Sequence, residues 1–100
     1  MNIKLKATNM EMTGAIKDYV NEKFSGLEKY FDNIQDVDIE VGKTTRGQQK
    51  GDIFFCEINV SVPHKLLRYR EETDDLYASI TDCKKGIHLE LNKYKEKLRG

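Results

Sequence analysis

Proline occurs once in the 100 residues and glycine seven times, which excludes a proline-rich or low-complexity chain. No charge of either sign is in excess, with Lys plus Arg equal to Asp plus Glu at 17 each. Net charge therefore offers no argument for a polyanion partner, and any such reading must rest on where the charges fall. Long apolar runs are also missing. No stretch approaches the roughly 18 apolar residues of a membrane span, and the start, Met1-Asn2-Ile3-Lys4, has no apolar h-region of a secretory signal. The two cysteines, Cys56 and Cys83, form no CxxC pair. They read as core thiols in a reducing cytosol, so a cytoplasmic location is expected. What is present is an even spread of apolar residues, 38% of the chain. That suits one small domain, residues 1–100, with a single core rather than a two-lobed enzyme.

Residues 2–8 alternate, with Ile3, Leu5 and Ala7 on one face and Lys4, Lys6 and Thr8 on the other, which predicts a half-buried strand. Thr13 reads as an N-cap. Ile16, Tyr19, Val20, Phe24, Leu27, Tyr30 and Phe31 then recur at helical steps, predicting an amphipathic helix of about 18 residues that ends near Asp32-Asn33. Val37, Ile39 and Val41 mark a second strand. Gly42 to Gly51 reads as a long electropositive hairpin loop carrying Lys43, Arg46 and Lys50. Phe54, Cys56, Ile58, Val60 and Val62 face one way in a third strand, and Leu67 and Tyr69 alternate with Arg68 and Arg70 in a fourth. The acids Glu71, Glu72, Asp74 and Asp75 lead into a second helix, where they complement the positive end of its dipole. Its apolar stripe is Leu76, Ile80, Cys83, Ile87, Leu91, Tyr94 and Leu98, which extends the helix over about 25 residues, roughly 37 Å.

The fold class is thus α+β, in the order β-α-β-β-β-α: a four-stranded sheet with both helices on one face. The first two strands should be parallel through a right-handed crossover, and the rest antiparallel. Strand direction then makes the helices parallel, so their C-terminal halves meet at one end of the domain. Lys23 and Lys29 come near Lys93, Lys95, Lys97 and Arg99. Residues 83–100 carry six bases (these last four with Lys84 and Lys85) and two acids, Glu90 and Glu96. Strands of about 17–20 Å would leave the basic end of the second helix overhanging the sheet. The open sheet face should instead carry ordinary cross-strand charge pairs, Lys4 and Lys6 beside Asp38 and Glu40, and Glu57 facing Arg68 and Arg70.

Motifs for catalysis fail. Gly42-Lys43-Thr44 imitates the end of a phosphate-binding loop, but Val37 stands where the first glycine is required. His64 and His88 have no ligand spacing, both cysteines lie on apolar stripes, and Asp74-Asp75 is explained by helix capping. No catalytic residue, metal, cofactor or small-molecule substrate is expected.

Several segments together carry a likeness: Thr13-Gly14-Ala15-Ile16, the run Lys23-Phe24-Ser25-Gly26-Leu27-Glu28-Lys29-Tyr30-Phe31, Leu66-Leu67-Arg68, Asp74-Asp75-Leu76-Tyr77-Ala78-Ser79-Ile80 and Lys93-Tyr94-Lys95. In this order the chain resembles the short form of the ribosome hibernation-promoting factor and ribosome-associated translation inhibitor family. The resemblance implies a dsRBD-like domain, related in shape to double-stranded RNA-binding domains. It implies binding to ribosomal RNA of the small subunit, in the channel for messenger and transfer RNA, so that idle ribosomes are stored in stationary phase or stress. Lys23, Lys29 and Lys93 match basic positions of the family. Gly26 stands where a lysine is usual, Gly86 at a frequently charged site and Leu89 where arginine is common. Lys84 and Lys85 can substitute by position, and Lys97 and Arg99 complete the candidate RNA-binding set. Long members carry a further domain that pairs ribosomes, so with this chain ribosome dimerisation is expected to need a separate protein. The alternative is a protein-interaction module of the same fold with weakened RNA binding, in which Leu89 is a contact residue. No membrane partner is expected.

Overall fold

The computed structural model describes residues 1–44 and 51–99. Its elements are β1 (Asn2–Thr8), α1 (Gly14–Phe24), β2 (Asp36–Lys43), β3 (Phe54–Val62), β4 (Lys65–Thr73) and α2 (Leu76–Arg99). The sheet order is β1-β2-β3-β4, parallel between the first two strands and antiparallel thereafter. The β3–β4 hairpin closes through Pro63 and His64, with Val62 paired to Lys65. His64 takes a left-handed φ of 66°, which a tight turn demands after proline.

Alternation decides which strand residues meet the helices. Val37, Ile39 and Val41 of β2, Cys56, Ile58, Val60 and Val62 of β3 and Leu67 of β4 are buried in one cluster. The same cluster holds Ile16, Val20 and Phe24 of α1 and Leu76, Ile80, Cys83, Ile87, Leu91 and Tyr94 of α2. Burial of about twenty such side chains is the main stabilising term, since each contributes roughly 1.5–3 kcal/mol. Ser79 is the one buried polar side chain among the described residues, and its hydroxyl donates to the Phe54 carbonyl at 3.1 Å.

Five expectations need correction. The first helix stops at Phe24, and a single 3-10 turn, Leu27–Lys29, continues the chain. Gly26 is a poor helix former and sits at φ −88°, ψ 2°, so the helical ladder ends there while Leu27 and Phe31 stay buried. Glu71 and Glu72 belong to β4, and the first turn of α2 has no acid; its cap is Asp75, whose carboxylate accepts from the Tyr77 amide at 3.0 Å. Gly42 and Lys43 belong to β2, paired with Phe55 and Phe54, and Lys43 is bound to Asp52 at 3.3 Å. The expectation of an electropositive loop carrying Arg46 and Lys50 falls on residues 45–50, which lie outside the described residues. Leu98, placed on the apolar stripe by its spacing, is 62% exposed. Finally, β3 and β4 are nine residues each, roughly 30 Å rather than 17–20 Å.

The last two corrections have one explanation. The Tyr94 hydroxyl donates to the Pro63 carbonyl at 2.7 Å, so α2 passes the edge of the sheet at Tyr94. Five residues remain to Arg99, about 7–8 Å of helix with no strand beneath them. The overhang therefore depends on where α2 lies along the sheet, and Leu98 has nothing to pack on.

Candidate nucleic-acid interface

Two capping events set the two helices on the sheet. Thr13 Oγ1 accepts from the Ile16 amide at 3.2 Å and starts α1, while Asp75 starts α2. Three ring contacts then join the helical segments: Tyr19 to Tyr77, with centroids 4.8 Å apart, Tyr30 to His88 at 4.4 Å, and Phe31 to Tyr94 at 5.3 Å. Residue numbers rise together on both sides, so the helical segments are parallel, as strand direction predicts.

This arrangement brings Lys29 to the pole that holds Lys93, Lys97 and Arg99, because Lys95 Nζ donates to the carbonyl of the adjacent Tyr30 at 2.7 Å. Lys65, which sequence reasoning passed over, joins the same pole, one residue beyond the Pro63-His64 turn. The pole also contains acids. Glu28 lies 4.0 Å from the N-terminal amine and Glu90 lies 3.7 Å from Lys93.

The other candidates sit elsewhere. Lys84 and Lys85 precede Lys93 by nine and eight residues, roughly 12–14 Å along α2, so they are mid-helix rather than at the pole. Lys23 lies in the last turn of α1, its Nζ 5.3 Å from the Tyr19 ring centroid. At 100° per residue, Lys84 and Lys95 share the flank of α2 that faces α1, with Tyr77, Thr81 and His88. Lys93 follows Ser79 and Gly86 on the flank toward β3 and β4. Lys23 and Lys84 thus line an inter-helix seam, Lys29, Lys93, Lys97 and Arg99 gather at the pole, and Lys85 points outward from the middle of α2, in neither group.

Aromatic residues line that seam. Spacing assigned Tyr19 and Tyr30 to the apolar stripe of α1, yet Tyr19 is half-buried and Tyr30 is 52% exposed. The Tyr19 hydroxyl is 2.7 Å from Thr81 Oγ1, a bond that also ties the helices. Burial, helped by the charge of Lys84, holds the His88 imidazole below its ordinary pKa, so it is neutral at pH 7.

Gly86 and Gly26, at positions where the resemblance implies charged side chains, have different structural status. A Cβ on Gly86 would overlap the Tyr69 ring, so no charged side chain fits there without moving α2. A Cβ on Gly26 would meet nothing within 4 Å. Leu89 points outward from α2 at 62% exposure, as a lone apolar residue.

The open sheet face is charge-balanced. Its rows are Lys6, Glu40, Glu57, Arg70 and Lys4, Asp38, Asn59, Arg68, and the residues of β1, β2 and β3 among them border a groove of about 300 Å³. Glu57 accepts from Arg68 at 2.7 Å and from Arg70 at 3.3 Å. Burial alone would raise its pKa, but the hydrogen bonds and charges of the two arginines outweigh this and hold it below the usual carboxylate range. Phe55, on the same face, is buried beneath Arg70, whose guanidinium carbon is 4.1 Å from the ring centroid.

Cys56 and Cys83 are both buried, and the neighbouring Cys83 thiol, together with burial, pushes the Cys56 thiol far up, while Cys83 Sγ itself donates to the Tyr69 carbonyl at 3.8 Å. No group of three or more His, Cys, Asp or Glu among the described residues is placed to hold a metal. No described helix is long and apolar enough to cross a membrane.

Fold and surface together define a small α+β protein whose two parallel helical segments gather cations along a seam and at one pole. The chain belongs to the family described as Sigma 54 modulation protein / S30EA ribosomal protein, whose sequence model matches residues 3–99. A ribosome hibernation promotion factor of Bacillus subtilis (strain 168) is 28% identical over 98 residues, which is 98% of this chain and 50% of that protein. One from Deinococcus radiodurans is 30% identical over 94 residues, 92% of this chain and 48% of that protein. The chain spans about half the length of the curated relatives it matches. Among solved structures, the N-terminal domain of Thermus thermophilus Protein Y superposes with a TM-score of 0.74 at 34% identity, covering 94% of this chain and 99% of that one. A ribosomal subunit interface protein from Coxiella burnetii gives a TM-score of 0.83 at 19% identity, covering 96% and 99%, a likeness of fold.

Proposed function

We propose that the chain is a ribosome-associated translation inhibitor that binds ribosomal RNA in the messenger and transfer RNA channel of the small subunit and holds ribosomes inactive in the cytoplasm. Its action is steric and electrostatic, with no bond made or broken. The single observation that carries the reading is the Lys95–Tyr30 hydrogen bond, which sets Lys29 at the same pole as Lys93, Lys97 and Arg99. Family membership and the names of the half-matching relatives support the ribosomal partner. On the sheet face Arg68 and Arg70 are already paired with Glu57, which argues for the helices as the contacting side.

The test is co-sedimentation with purified small subunits across a salt series. Each phosphate contact contributes roughly 0.7–0.9 to the logarithmic salt slope, so changing Lys29, Lys93 and Lys97 together to Glu should lower the slope by roughly 2–3 and weaken binding. Undiminished binding by that triple variant rules out the pole as the contact surface.

A further inference from the structure

We infer that the seam between the two helical segments holds unpaired RNA, with Tyr30 as the ring on which one extruded base stacks and Lys23, Lys84 and Lys95 as phosphate contacts beside it. The inference rests on the ribosomal-RNA reading above and specifies what part of that RNA the seam takes.

An exposed aromatic is not by itself unusual, but this one is held in place. Tyr30 meets the His88 ring edge-on, its amide donates to the Leu27 carbonyl at 3.0 Å, and its own carbonyl is bonded by Lys95. About half of its surface nevertheless stays in solvent, at 52%. A ring held against His88 on a backbone bonded at both its amide and its carbonyl loses little conformational freedom on binding, which is what a stacking platform requires. A cation is attached to the same residue, so base face and backbone charge can be met together.

The pattern repeats along the seam. Tyr77, 40% exposed, is packed edge-on against Tyr19, and Lys23 lies over the Tyr19 ring. From Tyr77 to Lys95 the seam runs 18 residues of α2, roughly 27 Å, with aromatic and cationic side chains alternating. In a duplex the base faces are already stacked, and phosphates, 2′-hydroxyls and base edges are what is offered, so an exposed ring gains no stack from it. In a single strand every base has a free face, and rings interleaved with cations fit that ligand. The sheet cannot compete for it: its one buried aromatic on the open side, Phe55, is roofed by Arg70.

The experiment is fluorescence anisotropy with a labelled, unstructured 15-nucleotide RNA and with its full duplex, each over a salt series. The wild-type chain is expected to prefer the single strand. Tyr30→Ala and Tyr30→Leu should each weaken single-strand binding about tenfold, within the range for losing one base–aromatic stack, with the salt slope unchanged because no charge is lost. Tyr30→Phe keeps the ring and should bind within about twofold of wild type, and duplex affinity should not respond to any of the three. Tyr30→Leu keeps the bulk should Tyr30→Ala disturb folding. Equal affinity for strand and duplex, no binding of the single strand, or wild-type affinity in both the Ala and Leu variants overturns the inference. Co-sedimentation of the wild-type chain with small subunits is scored in parallel. Its loss refutes the ribosomal reading, whereas its persistence beside an indifferent Tyr30 removes the stacking contact alone.

Discussion

Replacing Gly86 by alanine pits two effects of known size against each other. Alanine in a helix interior is favoured over glycine by about 1 kcal/mol, so on a free helix the change is stabilising. On α2 the added methyl would land inside the ring of Tyr69, touching Cε2, Cζ and Cδ2. The ring cannot simply swing aside without loss, since its hydroxyl donates to Glu71 Oε1 at 2.6 Å. The alternative is for α2 to lift, which opens a gap around Cys83 and Ile87, both fully buried. Overpacking of this kind costs about 1–3 kcal/mol, so the net expectation is a loss near 1 kcal/mol, or a fall in Tm of about 4–8 °C for a domain of this size. The decisive assay is a double-mutant cycle by thermal or urea unfolding. With Tyr69→Val in the background the clash is gone, and Gly86→Ala should become stabilising by up to about 1 kcal/mol, a coupling near 2 kcal/mol. The same stabilisation by alanine in both backgrounds would refute the reasoning, because the close approach of α2 to β4 would then not constrain position 86.

Two further outcomes follow from the geometry. Glu57 has a folded-state pKa below its ordinary value, so its ionised form stabilises the fold above the usual carboxylate range and loses that effect as pH falls through it. Wild type should therefore exceed Glu57→Gln by about 1–2 kcal/mol at pH 7 in denaturant unfolding, with the gap closing below about pH 4; a gap that widens in acid contradicts the Arg68 and Arg70 pairing. Gly26 has open space around it, so Gly26→Lys should change stability by less than about 0.5 kcal/mol. The same change should steepen the salt dependence of small-subunit binding by roughly 0.7–0.9, and an unchanged slope would place Gly26 away from the RNA.

Most of the fold was legible because burial imposes a period on each element. The three apolar alternations of β2, β3 and β4, with Phe54 and Tyr69 only half-buried, and the 4-3-4-4-3 spacing from Leu76 to Tyr94 match the core-facing positions of the structure. Parallel helices also follow from counting strand reversals along the chain. The misses share a physical cause. Tyr19, Tyr30 and Leu98 lie at helical spacing, but whether a spaced residue is buried depends on what lies opposite it. Tyr30 faces the edge of His88, and Leu98 lies beyond the Pro63 turn. Phe55 was missed for the converse reason: alternation places it on the open face, and only the neighbouring strand's Arg70 covers it. The candidate cations could be named from sequence, yet their division between seam and pole could not. That division depends on the rotation of α2 about its axis, which Gly86 on Tyr69 and Ser79 on Phe54 settle.

By itself, the sequence determined the order β-α-β-β-β-α, the buried faces and the family likeness, because periodicity and capping are local properties that each segment carries within itself. Only the tertiary structure decided where α2 lies along the sheet, which lysines share a flank with Tyr30, and that Gly86 admits no side chain. Those are distances between segments far apart in the chain. They are set by the few close contacts, ring against glycine and hydroxyl against carbonyl, that no single segment contains.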